Sequence, residues 1–149
     1  MMLAKNLERI VSGKFLSSSE FDKAVEELIS LCNYSNEESA SILSEVLQRE
    51  MSFSTYFADE MSVPRSEIKS NDLCLLVGIS KSGIKNESNE IKVIFLLLYG
   101  EKRKSEYLSL LSYIYRILSG RQFKNRLISC ETNDEIKTQV IKGLFEIEG

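Results

Sequence analysis

A chain of 149 residues that is 43% hydrophobic and 28% charged has the size and mix of a single soluble domain, and residues 1–149 are read as one. Its net charge of −3 argues against nucleic acid or an anionic membrane as the main partner, because both reward a basic surface. The absence of histidine excludes Ser-His-Asp and Cys-His catalysis, histidine metal ligation and imidazole acid–base chemistry.

In chain order, Ile10, Val11, Phe15 and Leu16 suggest a short first strand that Gly13 weakens. Ser17 and Glu20 stand at capping-box spacing, and Phe21, Ala24, Val25, Leu28, Ile29 and Cys32 follow at intervals of three and four, which predicts an amphipathic helix. Asn33-Tyr34 breaks it. Ser35 with Glu38 repeats the capping pattern, and Ala40, Leu43, Val46 and Leu47 carry a second helix to about Glu50.

Met51 to Ser66 loses the helical period and holds the only proline, Pro64; it reads as a loop running into a short strand. Asp72 to Ser80 and Lys92 to Tyr99 are apolar runs of strand length without alternation, as expected of strands covered on both faces, with a turn at Lys81 to Glu90. After the charged turn Gly100 to Lys104, the positions Tyr107, Leu110, Leu111, Ile114, Ile117 and Leu118 draw a helical stripe that stops at Gly120. Two more helices are predicted, one over about Gln122 to Ser129 and one opened by Thr132 with Glu135. The order is strand, two helices, three strands, three helices. No run is long enough to cross a bilayer, and Met1 to Asn6 shows no secretory pattern, so the expected location is cytoplasmic, without membrane insertion.

Cys32, Cys74 and Cys130 lie far apart and form no C-x-x-C pair, so they read as small buried hydrophobes, and no metal site or cofactor is expected.

Val46-Leu47-Gln48-Arg49-Glu50, then Ser54-Thr55, then Val63-Pro64-Arg65 resemble, in order and spacing, a Leu-x-Arg-Glu helix end, a Ser-Thr-Gly loop and an Ile-Pro-His strand. Those motifs characterise the phosphotransferase-system enzyme IIA domains of the fructose, mannitol and nitrogen-regulatory branch. Leu73 to Gly83 and Ile91 to Leu98 resemble that family's next two strands, and Tyr107-Leu108 stands where a second His-Leu pair opens the long helix. The likeness covers about 15–144. It implies an α+β fold with three α/β/α layers, a small mixed sheet carrying helices on both faces. In the family the first histidine accepts a phosphoryl group from the phosphocarrier HPr or its nitrogen-branch relative, and the second assists.

Here Arg65 and Tyr107 occupy those two positions. A guanidinium stays protonated up to a pKa of about 12 and offers no nitrogen lone pair to phosphorus, so Arg65 cannot be the acceptor; its planar fork suits an anion or acidic partner instead. The loop carries Phe53, Tyr56, Ala58 and Glu60 where relatives carry glycines, so any positive φ there costs free energy. Arg49, Ser54, Thr55, Pro64, Arg65 and Tyr107 form the expected binding site, and no catalytic residue is intact. The expected function is that of a non-phosphorylatable regulatory module. Its expected partner is a protein: a transporter, a kinase, another regulator or an HPr-like phosphocarrier. Two alternatives stay open: a phosphoryl carrier using Ser54, Thr55 or a cysteine, and a small-molecule anion sensor around Arg65. For Tyr56 and Phe57, packing onto the sheet is expected over exposure as a binding patch.

Overall fold

The computed structural model describes residues 2–57 and 59–148. Its elements in order are α1 (Met2–Ile10), β1 (Val11–Phe15), α2 (Phe21–Ile29), α3 (Asn36–Ser52), β2 (Tyr56–Phe57), β3 (Met61–Ser62), β4 (Arg65–Ile68), β5 (Leu73–Asn86), β6 (Asn89–Gly100), a 3-10 turn at Glu101–Arg103, α4 (Lys104–Leu118), α5 (Arg121–Ile128) and α6 (Asn133–Glu148). One mixed sheet runs β1-β5-β6-β3-β2, with β4 also paired to β6. The hairpin β5–β6 is antiparallel, whereas β1 lies parallel to β5, and β3 and β4 lie parallel to β6.

Two long apolar strands explain the layers. Successive side chains point to opposite faces. Leu73, Leu75, Val77 and Ile79 of β5 and Val93, Phe95, Leu97 and Tyr99 of β6 enter one core with α1, α4, α5 and α6. Leu76, Ile94, Leu96 and Leu98 enter a second core with α2 and α3. Both faces are buried, so runs without alternation are what this sheet requires, and the expected α+β arrangement of helices on both faces is the one observed. Truncating one of these fully buried side chains typically costs about 2–5 kcal/mol.

The local signals fared unevenly. Ser35 caps α3 by accepting from the Glu38 amide at 3.1 Å, and Thr132 accepts from the Glu135 amide at 3.1 Å. The Ser17–Glu20 box does not form. Glu20 is itself the residue preceding α2, with no side-chain cap. The Ser17 and Ser18 amides donate instead to the Glu27 carboxylate, at 3.0 and 2.9 Å, alongside Lys14 Nζ at 3.1 Å. In a capping box the Ser17 amide would have gone to the Glu20 carboxylate; Glu27 takes it instead, and the Glu20 amide donates to Ser18 Oγ at 3.1 Å. Helix α2 also ends at Ile29, short of Cys32.

Three further corrections follow, two of element length and one of a glycine's role. Ile10 ends a helix rather than starting a strand; Leu3, Leu7 and Ile10 had the spacing for it. The expected turn Lys81 to Glu90 is mostly strand, because β5 and β6 continue past an irregularity between Ile79 and Ile84 and close only at Glu87-Ser88. Polar residues at a solvated hairpin end hide this. Gly13, read as a weakness, is a requirement: a Cβ there would lie 2.6 Å from Ile136 Cγ2, so its absence lets α6 pack onto β1.

Burial works to raise the Glu27 pKa, but hydrogen bonds from Ser17, Lys14 and Ser18 outweigh it and hold the carboxyl below its ordinary value. A depressed folded pKa contributes stability above the unfolded pKa, and that contribution is lost as pH falls through the folded value. Glu27→Gln is therefore expected to lower stability at neutral pH by about 1–2 kcal/mol in urea denaturation. The deficit should shrink as pH falls below the ordinary carboxylate range, where the native residue also becomes neutral.

Candidate functional site

Strands β3 and β4 are one path along β6, interrupted at Val63-Pro64. Proline has no N–H to give the ladder, but its carbonyl still accepts from the Leu97 amide at 2.9 Å. The register places Arg65 opposite Leu97. Cross-strand neighbours share a face, and Leu97 faces the core beneath α4, so Arg65 is aimed at that helix. Its Nη2 donates to the Tyr115 hydroxyl at 3.2 Å, and its guanidinium carbon lies 5.9 Å from that ring's centroid. Phe57 supports Tyr115 from the side, with centroids 5.4 Å apart.

Tyr107 stands eight residues before Tyr115 and so on the same helix face. It is buried, and its ring stacks on Tyr99 with centroids 3.8 Å apart at 11°. Burial pushes the Tyr107 phenol above its ordinary value; the nearby Arg65 and Arg49 guanidiniums pull it partly back. The structure thus sets Arg65 beside Tyr107, with Arg49 near enough for its charge to be felt there. Arg49 is exposed at the end of α3, and Pro64 sets the strand break before Arg65.

Ser54 and Thr55 are placed differently. Thr55 is buried; its hydroxyl donates to Glu50, and its oxygen accepts from the Val63 amide at 3.2 Å and lies 3.3 Å from Ser62 Oγ. It ties the end of α3 to the strand that presents Pro64-Arg65. Ser54 is exposed and lines a separate cleft with Phe21, Met51, Lys85 and Glu87, away from Arg65. Tyr56 packs against the second core and Phe57 against the first. The exposed apolar residues here are instead Met51 (89%) and Phe53 (79%).

The loop does use positive φ: Asp59 at 71° and Glu60 at 68°. Ala58, the third of the glycine replacements, lies outside the described residues. Compensation is visible in the contacts of the strained pair. Lys124, on α5, meets Asp59 Oδ1 at 2.7 Å and Glu60 Oε1 at 3.2 Å, and the Glu60 carbonyl accepts from the Lys92 amide at 2.8 Å. Burial opposes the Lys124 charge, but Asp59 and Glu60 more than offset it and hold the ammonium above its ordinary pKa. The cysteines sit elsewhere: Cys74 and Cys32 pack against the second core, across the sheet from Arg65.

What the arrangement can do chemically is limited. A guanidinium engaged by a tyrosine offers hydrogen-bond donors but no lone pair, and a neutral phenol offers no base near neutral pH. The site can contact an anion or an acidic group. Tyr99, Tyr115 and Lys124 were not read as parts of it, and only the eight-residue spacing of Tyr107 and Tyr115 could have hinted at a shared partner.

A family model described as "Phosphoenolpyruvate-dependent sugar phosphotransferase system, EIIA 2" matches residues 16–143. No curated protein sequence matches. Among solved structures, the nitrogen regulatory protein IIA-Ntr of Neisseria meningitidis is 17% identical, with 94% of this chain and 99% of that one covered and a TM-score of 0.71. IIA mannitol of Escherichia coli is 13% identical, covering 87% and 94%, with a TM-score of 0.62. A complex of enzyme IIA mannitol with phosphorylated enzyme IIB mannitol from Escherichia coli gives 12%, 90% and 99%, and 0.64. At these identities the structural likeness establishes the fold.

Thr55→Val should cost about 1–3 kcal/mol, because the Glu50 carboxylate loses its hydroxyl donor and keeps only the residue-55 amide, and the Val63 amide keeps only the residue-55 carbonyl, while the side-chain volume is unchanged. Thr55→Ser should retain most of the stability, and chemical denaturation separates the two. Tyr107→Ala should lose about 3–5 kcal/mol, as expected for a large buried aromatic.

Proposed function

Because the chain belongs to the EIIA 2 family of the phosphoenolpyruvate-dependent sugar phosphotransferase system, we propose that it is a regulatory member of the nitrogen-regulatory type that binds another protein and is not itself phosphorylated. The carrying observation is Arg65. By the resemblance of the motifs around it, Arg65 stands at the acceptor position, in a chain without histidine, and its guanidinium is engaged with Tyr115 beside a buried Tyr107. Phosphoryl transfer to nitrogen needs a lone pair that this group lacks at any physiological pH.

Protein binding is supported by exposed side chains at the end of α3 and the start of α4. Exposed Arg49 is followed by exposed Met51 and Phe53, and Tyr107 is followed by the half-exposed Leu108 (53%). A cation flanked by large apolar side chains is the composition that interface anchors favour. The partner class is a transporter, a kinase or another regulator, or an HPr-like phosphocarrier docked without transfer, all in a bacterial cytoplasm. No helix among the described residues is long and apolar enough to cross a membrane. The whole chain would act as one domain. A carrier using another acceptor has less support, since the Thr55 hydroxyl is committed to Glu50 and the Cys32 and Cys74 thiols lie across the sheet. An anion sensor has less support as well, since Tyr107 and Tyr115 occupy the space beside Arg65.

The test is affinity for a partner captured from the native cytoplasm. Binding should be the same before and after exposure of the protein to phosphoenolpyruvate, enzyme I and the phosphocarrier. Replacing Met51 and Phe53 together by serine should weaken it roughly tenfold or more, the loss of about 1.4 kcal/mol or greater typical of anchor residues. Affinity that collapses after the phosphorylating treatment would refute the reading.

A further inference from the structure

Two of the three cysteines that are distant in sequence meet in space. Cys32 follows α2 in a turn whose amide donates to the Ile29 carbonyl at 2.9 Å. Cys74 is the second residue of β5 and pairs with Leu98 of β6. Both pack against the second core, both are half-buried, and they lie near enough for the state of each thiol to be felt by the other.

The neighbours hold this approach in place. Tyr34, two residues after Cys32, donates its hydroxyl to Asp72 Oδ2 at 2.8 Å and lies 3.3 Å from Ser70 Oγ; Asp72 stands two residues before Cys74. Ser70 Oγ in turn donates to the same Asp72 oxygen at 2.9 Å. The turn bearing one sulfur is therefore pinned to the strand start bearing the other, on the opposite face of the sheet from Arg65. Cys130 is buried in the first core and has no part in this.

From this geometry we infer that Cys32 and Cys74 are a dithiol pair that closes reversibly to an intramolecular disulfide under a peroxide oxidant. The first proton leaves the pair more readily than from an isolated thiol, because the remaining S–H hydrogen-bonds the thiolate; burial opposes this and Arg103 assists it. The second proton is held more tightly for the same reason. The chemistry balances in two steps. The Cys74 thiolate attacks one oxygen of hydrogen peroxide, the O–O bond breaks, and hydroxide leaves to take a proton as water, giving a sulfenic acid. The Cys32 sulfur then attacks the Cys74 sulfur, forming the S–S bond. The S–O bond breaks, and the departing hydroxide takes the Cys32 proton as a second water. A dithiol reductant reverses the result by returning two electrons and two protons.

The bridge would enclose residues 33–73, the segment that carries α3, β2, β3 and β4 and with them Arg49, Thr55, Pro64 and Arg65. Oxidation would tie the helix that carries Arg49 in its last turn and the loop before Arg65 to the sheet through a covalent link. Such links stabilise chiefly by restricting the unfolded chain.

The experiment uses the full-length protein, reduced, desalted and treated with hydrogen peroxide near stoichiometry under native conditions, then alkylated and mapped without reduction. Expected are a mass loss of about 2 Da, a linked Cys32–Cys74 peptide, alkylated Cys130, and full reversal by dithiothreitol. Oxidation should raise the melting temperature of the native chain. Cys32→Ser and Cys74→Ser, checked for native circular dichroism, should show neither the linked peptide nor the rise. Free alkylation of both cysteines after treatment would overturn the inference. So would sulfinic acids without a linked peptide, a bridge involving Cys130, or a bridge between two molecules.

Discussion

Strand β6 is the reference to which the other parts of the sheet are registered. It accepts β5 on one side and β3, then β4, on the other, and it buries alternate side chains in two separate cores. A strand so used must be apolar on both faces and must offer unbroken backbone to both neighbours, which Val93 to Gly100 does. Its register opposite Leu97 decides that Arg65 looks at α4 and not at solvent or at the other core. The site is thus a consequence of strand pairing, with Pro64 and the Glu50–Thr55–Val63 hydrogen bonds setting where the strand resumes.

Within that frame, two residues act together. On the reading proposed above, the guanidinium of Arg65 stands where the family would place one imidazole, and Tyr107 where it would place the second. Each could have left an open hollow. Instead Tyr107 stacks on Tyr99, Tyr115 receives the Arg65 donor, and Phe57 closes the side, so aromatic packing fills what a reactive nitrogen would need empty. The adjoining loop keeps two residues at positive φ without glycine, and Lys124 with the Lys92 amide offsets that strain. Residues at positive φ cost roughly 1–3 kcal/mol each and persist only where neighbours over-determine them. Here those neighbours are identifiable, which marks the loop as a built structure and not a decayed one.

Much of the fold was legible because it rests on local rules. The apolar runs ending at Ser80 and Tyr99 declared doubly covered strands, and Ser35 and Thr132 declared helix starts, but the expected order lacked α1 and the two-residue strands β2 and β3. The Glu50, Thr55 and Pro64-Arg65 pieces are tied together in the structure and their spacing is local too, whereas Ser54 lies in a separate cleft. What stayed hidden depends on pairing at a distance. Nothing near Ser17 shows that Glu27 will take its amide, and nothing near Lys124 names Asp59 and Glu60 as partners. Cys32 and Cys74 carry no spacing motif, so only the folded turn reveals that they meet. The polar end of the β5–β6 hairpin was missed for a different reason: its strand residues are solvated and lack the apolar signature of strands.

The central claim is that this scaffold has exchanged a phosphoryl acceptor for a fixed cation. Intact mass spectrometry after incubation with phosphoenolpyruvate, enzyme I and the cognate phosphocarrier tests it most directly, with an authentic histidine-bearing relative as the positive control. The account predicts a control that gains a phosphoryl group and a chain that gains none. A phosphoryl group found on this chain at any residue would contradict it.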